Sequence, residues 1–268
     1  MKPLAFVVAI VVAACASGCV GSVAEPDRPV RIMCLGDSIT AGYTDNPDWN
    51  VPFEFGYRSG LYSLLAAAGH DIQFVGASPE PWDGRFELPT NTPKLDLRGM
   101  GQDKHRGYGG ASVEDLSEEV EAYIESDNPD VILLMIGING VDADSPTQLE
   151  SLVRRILAAA PDVILIVARI SPYAWFNQDL WVYNLYISDD LIPTCAADGY
   201  TVGTVDLYSL FLVDAEDPTS ISPSGHSNKI NHPSPALYTE MAQIWFDGLE
   251  PVLEKPGSHQ GTLVKTQD

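Results

Sequence analysis

The sequence of 268 residues predicts a doubly wound α/β domain. Short apolar runs rich in β-branched residues alternate along the chain with longer segments of helical periodicity. Most of the apolar runs are continuous, which is typical of strands buried on both faces of a parallel sheet. An alternation of such strands with helices builds an open sheet that is covered by helices.

The apolar patterns place five strands and five main helices. The strands are predicted at residues 30–35, 72–76, 131–136, 163–168 and 202–206, and the helices at 57–69, 113–126, 147–159, 179–197 and 235–254. Residues 77–104 are rich in Pro, Gly and Asp and show no period. Because long irregular loops inside compact domains are usually functional, we expect this stretch to form a lid or rim over a site.

We expect one domain at residues 28–254, preceded by an export signal at 1–24 and followed by a disordered polar tail at 255–268. Lys2 precedes an apolar run at residues 4–14, which is too short for a permanent membrane helix. Two cleavage sites compete. The favoured one resembles a bacterial lipobox ending in Cys19, which would make a cell-envelope lipoprotein. The other follows Ala24 and releases a secreted or periplasmic protein. Measuring the mass of the mature amino terminus would distinguish lipidation at Cys19 from cleavage after Ala24.

Charge and composition exclude several functions. The formal net charge is -22, without Lys or Arg clusters, which argues against nucleic acid or an anionic membrane surface as a partner. A membrane role is therefore expected only through a lipid anchor at Cys19. The five histidines show no metal-ligand spacing, so we predict neither a metal nor another cofactor. Cys34 and Cys195 are predicted to be buried small hydrophobic residues.

Ser38 is the candidate nucleophile. The first strand runs directly into Gly36-Asp37-Ser38, which is the position where open α/β sheets place their chemistry. A serine needs a base within hydrogen-bond reach and donors for the oxyanion. His232, just before the last helix, is the candidate base, and we rank it ahead of His226.

Three groups are predicted to form the oxyanion hole: the N–H groups of Ser38 and Gly107 and the side-chain amide of Asn139. Each of these residues also has a structural interpretation. Ser38 could cap the following helix, His232 could pack at a helix entry, and Gly107 and Asn139 could simply serve turns. Their joint occurrence favours a catalytic site.

Four blocks in the same order resemble the GDSL, or SGNH, hydrolase superfamily. They are Gly36-Asp37-Ser38, the glycine block around Gly107, Gly137-Ile138-Asn139 and His232-Pro233. The resemblance implies a three-layer, flavodoxin-like sandwich with a five-stranded parallel sheet in the order 2-1-3-4-5. It also implies that the listed residues supply the nucleophile, the oxyanion donors and the base. Gly56-Tyr57-Arg58, Gln73-Phe74-Val75-Gly76 and the turn at 106–110 resemble the branch that contains acetylxylan esterases.

The sequence departs from the superfamily pattern at two positions. Lys229 stands where the superfamily has the Asp that orients the imidazole, and Gly140 follows the asparagine block in place of Asp. A Ser-His dyad or an atypical triad is therefore expected. Asn228, Asp214 and Asp217 are the candidate groups that replace the missing orienting carboxylate.

The expected function is that of an exported serine esterase that hydrolyses short-chain esters, O-acetyl groups on carbohydrate above all. Trp82, Tyr108 and Trp175 are candidate substrate-rim residues, although aromatic residues of this kind also pin loops to the domain body. The partner would be an acylated small molecule or a polysaccharide. Two alternatives remain: a lipolytic or thioester hydrolase on the same constellation, and a catalytically silent glycan-binding protein.

Overall fold

The computed structural model describes residues 28–44, 55–80 and 97–253, together with the backbone of residues 10 and 11. Apart from residues 10 and 11, the predicted signal peptide lies outside these residues, and so do Cys19, Trp82 and the predicted tail. In the part of the chain that is described, no helix is both long and apolar enough to cross a bilayer.

The strands form one sheet in the order β1-β7-β6-β5-β2-β3, with β4 paired to the end of β2. Their bounds are β1 Ile10–Val11, β2 Val30–Gly36, β3 Ile72–Val75, β4 Arg106–Gly107, β5 Val131–Met135, β6 Ile164–Arg169 and β7 Val202–Asp206. The five strands predicted from the apolar runs are present, parallel and in the predicted order. The count of five is corrected to seven: β1 lies in the apolar run that was assigned to the export signal, and two-residue β4 is too short to form a strand pattern in the sequence.

Helices flank the sheet, with α2 packed against α7 and α3 against α4. The helices are α1 Ser38–Ala41, α2 Tyr57–Ala67, α3 Val113–Asp127, α4 Ser145–Ala159, α5 Gln178–Tyr186, α6 Ile192–Ala197 and α7 Pro235–Leu253. A π-helical turn at Ile187–Leu191 joins α5 to α6, so the predicted helix at 179–197 is one continuous helical segment. The doubly wound α/β prediction is confirmed.

The core lies along the central strands. Every residue of β5 is buried, and so are the last five residues of β2. This burial on both faces explains why the strands appear in the sequence as continuous apolar runs. Cys34 and Cys195 are both free and buried, as predicted, and burial raises the pKa of the Cys34 thiol to about 11.

The end of β2 is tightly packed where the chain turns into α1. A Cβ atom at Gly36 would overlap the carbonyl oxygen of Met135 on β5, so only glycine fits there. The buried Asp37 carboxylate then accepts a 2.9 Å hydrogen bond from the N–H of Ile39 and caps α1. Burial raises the pKa of Asp37 to about 7, against the lowering effect of these backbone hydrogen bonds.

The other end of α1 is held by a buried arginine. The Arg58 guanidinium donates hydrogen bonds to the carbonyl oxygens of Thr40 at 3.1 Å and Ala41 at 3.3 Å, and to that of Asp103 at 3.1 Å. A four-residue helix is not stable by itself. The Asp37 cap and Arg58 therefore fix α1 from its two ends, because each supplies partners to backbone groups that the helix leaves unpaired.

The raised pKa of Asp37 predicts how stability depends on pH. The folded-state pKa of about 7 lies above the unfolded value, so the contribution of this carboxyl is fully present below about pH 4. It is lost as the pH rises through about 7. Asp37→Asn keeps a good capping oxygen but has no charge to bury. The unfolding free energy of the variant minus that of the wild type, measured in urea, should therefore rise by up to a few kcal/mol from pH 4 to pH 8.

Asp115→Asn is the matched control for this experiment. Asp115 also accepts capping hydrogen bonds, from Ser112, but it is exposed and these bonds lower its pKa. Its replacement should therefore become relatively more harmful as the pH rises, the opposite sign to Asp37→Asn. A difference between Asp37→Asn and the wild type that stays constant with pH would contradict the assigned burial effect.

Candidate active site

Ser38 and His232 lie in contact although 194 positions separate them in the sequence. The Ser38 Oγ is 2.8 Å from Nε2 of the imidazole, and both side chains are buried. Asp37 rather than Ser38 caps α1, so the interpretation of Ser38 as a helix cap is wrong. If Nε2 is the unprotonated nitrogen, it accepts the hydroxyl proton. This geometry allows the imidazole to activate the hydroxyl as a nucleophile.

Asn228 shapes the loop that carries His232. Its Oδ1 accepts hydrogen bonds from the backbone N–H groups of Ile230, Asn231 and His232 at 2.9–3.0 Å. Lys229, at the position where an orienting Asp was expected, is exposed and has a left-handed backbone with φ 59°. Asn228 was a candidate to orient the imidazole in place of the missing carboxylate. Its oxygen instead holds the backbone of the loop.

The other two candidate orienting groups are corrected by the structure. The Asp214 carboxylate accepts a hydrogen bond from the N–H of Glu216, and the Asp217 carboxylate accepts from the N–H and hydroxyl of Thr219. Both residues are exposed. Each carboxylate closes its own turn, because the side chain in an Asx turn accepts a hydrogen bond from the backbone N–H two residues ahead.

His226 is excluded as the base by its own hydrogen bond. Its Nε2 donates to the carbonyl oxygen of Pro172 at 2.9 Å. Burial lowers the pKa of this imidazole, and the nearby His232 adds a smaller lowering effect. His226 is therefore a neutral structural histidine, and His232 is the one that contacts the serine.

Gly107 does not supply the predicted oxyanion donor. Its N–H already donates to Nδ1 of His105 at 3.0 Å, and its carbonyl oxygen accepts from the Ser78 hydroxyl. Gly107 instead belongs to β4, where it pairs with Gly36. A Cβ atom here would crowd the backbone of α1, so the position needs glycine for packing.

The turn that follows β4 offers another donor. Among the described residues, the Gly110 N–H has no hydrogen-bond partner, and the positive φ of 81° suits glycine. The next residue, Ala111, accepts a 3.0 Å hydrogen bond from Nδ2 of Asn139, which places Asn139 beside this turn. The second N–H of that amide is left for a ligand. The sequence signal for Gly110 was the pair of consecutive glycines in this turn, of which only the second has a positive φ.

The Ser38 N–H also remains available. Ser38 is the first residue of α1, and no described residue accepts a hydrogen bond from its amide. The first N–H groups of a helix have no acceptor within the helix, so they are suited to bind an anion or oxyanion.

A partly buried polar network around His105, which sequence reasoning missed, holds the glycine turn. His105 accepts from Gly107 through Nδ1, and its Nε2 donates to the Glu80 carbonyl oxygen at 2.6 Å. The Glu80 carboxylate accepts from the N–H of Gly109 and from the Tyr43 hydroxyl. Burial lowers the pKa of His105 well below its ordinary value, and the charge of Arg58 adds to this effect. His105 is therefore a neutral bridge between two loops.

The predicted substrate-rim residues Tyr108 and Trp175 lie in different environments. The Tyr108 ring stacks on Tyr123, with centroids 5.7 Å apart, and its hydroxyl accepts from Arg106. The rim prediction for Tyr108 is therefore wrong, because this side chain pins its loop to α3. Trp175 is 52% exposed on the loop after β6. Trp82 is outside the described residues.

The carboxyl edge of the sheet, where Ser38 lies, is the candidate site. In the described ranges, no group of three or more His, Cys, Asp or Glu side chains is arranged to hold a metal ion. A cavity of about 730 Å³ lies before the start of β5 and β6, lined by residues such as Asp130 and Asp162. That cavity is at the opposite edge from Ser38. Ligands of open α/β sheets bind at the carboxyl ends of the strands, where Ser38 and Asn139 lie.

Comparisons with known proteins identify the family of the chain. Residues 34–239 match the GDSL-like Lipase/Acylhydrolase family. A multidomain esterase from Ruminococcus flavefaciens is 26% identical over 261 residues, which cover 87% of this chain and 30% of that protein. The chain therefore spans about a third of the length of this relative.

Solved structures share the fold. A family 3 carbohydrate esterase from Clostridium thermocellum has a TM-score of 0.63 and 24% identity, over 84% of this chain and 98% of that one. A carbohydrate esterase of family 3 from Talaromyces cellulolyticus has a TM-score of 0.61 and 20% identity over the same shares. An acetyl xylan esterase from Geobacillus stearothermophilus has a TM-score of 0.54 and 21% identity, over 82% and 94%. With the family match extending from β2 into α7, this chain belongs to the GDSL-like lipase/acylhydrolase family.

Proposed function

We propose that this domain is a serine esterase in which Ser38 is the nucleophile and His232 the general base. The observation that carries the proposal is the 2.8 Å contact between the Ser38 Oγ and the His232 Nε2 at the carboxyl edge of the sheet. Family membership supports ester hydrolysis. The reaction needs no cofactor.

The reaction proceeds in two steps. The Ser38 oxygen forms a bond to the acyl carbon while His232 takes the hydroxyl proton. The imidazole then returns that proton to the leaving alcohol as the ester bond breaks. In the second step the same imidazole takes a proton from water, the hydroxide oxygen bonds to the acyl carbon, and the acid leaves as the serine recovers its proton.

The negative charge on the tetrahedral oxygen is stabilised by N–H donors. We assign these donors to Ser38, to Gly110 in place of Gly107, and to the free N–H of the Asn139 amide. Well-placed donors of this kind contribute about 3–4 kcal/mol each to transition-state stabilisation. The hydrogen bond from Asn139 to Ala111 fixes one donor relative to the turn that carries another.

The proposed substrate is a short-chain ester, above all an O-acetyl group on carbohydrate, and the proposed location is outside the cytoplasm. The carbohydrate esterases among the structural neighbours support the substrate class, and the signal-like residues 1–24 support export. A lipolytic or thioester hydrolase is the alternative enzyme. A catalytically silent glycan-binding protein is the alternative of another class, which the Lys229 replacement keeps open.

Removing either catalytic side chain should abolish turnover. Ser38→Ala and His232→Ala are each expected to lower kcat by ~10⁴-fold or more, because attack loses its nucleophile or its base. Hydrolysis of p-nitrophenyl acetate and covalent labelling by a fluorophosphonate measure the effect. Ser63→Ala, which loses only a hydroxyl bonded to the carbonyl of Ser59 within α2, is the control and should behave as the wild type.

Retained turnover in either active-site variant would remove that residue from the mechanism. A wild-type protein that binds glycan saturably, without hydrolysis and without fluorophosphonate labelling, would instead establish the silent binding protein.

Replacing the Asn139 amide tests the oxyanion assignment. Asn139→Asp removes both N–H donors and puts a negative charge beside the developing oxyanion, so kcat should fall by ~10²–10³-fold. Asn177→Asp is the matched control, because Asn177 caps α5 through its oxygen and an aspartate keeps that hydrogen bond. Steady-state kinetics with p-nitrophenyl acetate report both. Equal small effects of the two substitutions would refute the role of Asn139.

The length of the acyl chain separates the acetyl esterase from the lipolytic alternative. We expect kcat/KM for p-nitrophenyl esters to fall steadily from acetyl to octanoyl, and acetate to be released from acetylated xylan. The free acids are measured by chromatography. A preference for the longer chains, with no acetate from xylan, would favour the lipolytic enzyme.

A further inference from the structure

An exposed aromatic pair lies on the loop that follows β6. The rings of Tyr173 and Trp175 are stacked, with centroids 5.2 Å apart and an angle of 8° between their planes. Trp175 is 52% exposed, an unusual state for the largest apolar side chain in proteins. One face of its indole is therefore held by Tyr173, while much of the side chain remains open to a ligand.

Three hydrogen bonds tie this loop to the segments that carry the site. The Tyr173 hydroxyl donates to the carbonyl oxygen of Ile138, next to Asn139, at 2.5 Å. The N–H of Ala174 donates to the carbonyl oxygen of Ile230 at 2.7 Å. The imidazole of His226 donates to the carbonyl oxygen of Pro172. The aromatic pair is thus fixed relative to both Asn139 and the loop of His232.

The chemistry of this surface suits a sugar ring. The face of an indole carries negative charge density, which attracts the weakly positive C–H groups on one face of a pyranose. No described residue accepts a hydrogen bond from the indole N–H of Trp175, so this group can donate to a sugar hydroxyl. Ile230, which is 50% exposed on the adjoining loop, extends the apolar surface.

Charge favours an uncharged ligand at this surface. The chain has a net charge of -22, and exposed Asp179 opens the helix that follows the aromatic loop. A neutral sugar is therefore preferred to an anionic one.

The geometry points to the exposed face of Trp175 as a binding subsite for a neutral pyranose ring of an acetylated oligosaccharide. This inference rests on the proposed esterase function and specifies its carbohydrate substrate. The ring stacks on the indole and thereby presents an acetyl group of the same chain to Ser38. Stacking of this kind is equal in the ground state and the transition state, and such uniform binding lowers KM without raising kcat.

The test compares a sugar ester with an acyclic ester in the full-length protein. Acetylated xylotetraose has rings to stack, whereas triacetin has none, and both release acetate. Trp175→Ala should lower the ratio of kcat/KM for acetylated xylotetraose to kcat/KM for triacetin by at least tenfold, chiefly by raising KM for the oligosaccharide. Trp175→Phe, which keeps an aromatic face, should restore most of that ratio.

Val182→Ala is the matched control, since Val182 is an exposed apolar residue on neighbouring α5 and should leave the ratio as in the wild type. Unfolding midpoints of all variants report whether the loop is intact. A ratio unchanged by Trp175→Ala overturns the subsite. An equal loss on both substrates also overturns it, because the residue would then act on the catalytic site itself.

Two further outcomes separate this inference from the proposed function. If the wild type hydrolyses triacetin but no acetylated oligosaccharide, the carbohydrate substrate fails and the subsite fails with it, although esterase activity stands. If Trp175→Ala instead impairs only esters with long acyl chains, the indole binds the acyl group, and the sugar subsite is overturned.

Discussion

The position of β2 between β3 and β5 is the constraint on which the candidate site depends. β2 is bonded on one side to β3 and on the other to β5, so its carboxyl end lies where the connections leave in opposite directions. The absence of a side chain at Gly36 lets the chain pass against Met135 and turn at once into α1. Ser38 is thereby held next to the buried end of this strand.

The polar groups beneath the site are satisfied by backbone partners as well as by opposite charges. Arg58 is buried and donates to three carbonyl oxygens, and neutral His105 bridges an amide and a carbonyl. Buried polar groups are costly unless they are hydrogen-bonded, so each of these bonds fixes the loop that supplies its partner. The result is that buried Arg58 and His105 fix the helix of Ser38 and the glycine turn.

The loop that carries His232 differs from the superfamily pattern. Lys229 occupies the expected Asp position in a left-handed backbone conformation, which a lysine adopts only at some energetic cost. Asn228 offsets this by accepting three backbone N–H groups of the same loop. The loop therefore keeps His232 at the serine through backbone hydrogen bonds, while its tip departs from the usual sequence. The loop of the stacked Tyr173 and Trp175 rings is bonded to the same loop, so each loop fixes the position of the other.

The sequence by itself determined the architecture and the central pair of the site. Continuous apolar runs located the five long strands, because strands buried on both faces must be apolar throughout, and the four ordered blocks placed Ser38 and His232. Only the tertiary structure decided which backbone amide has no partner among the described residues. Gly107 and Gly110 are both glycines of one sequence block, and the difference in their hydrogen-bond partners cannot be derived from the sequence. It also decided that Tyr108 is pinned while Trp175 is exposed, and that Asp214 and Asp217 serve their own turn. These outcomes depend on contacts between residues distant in the chain or on the exact path of a loop, and local pattern carries no record of either.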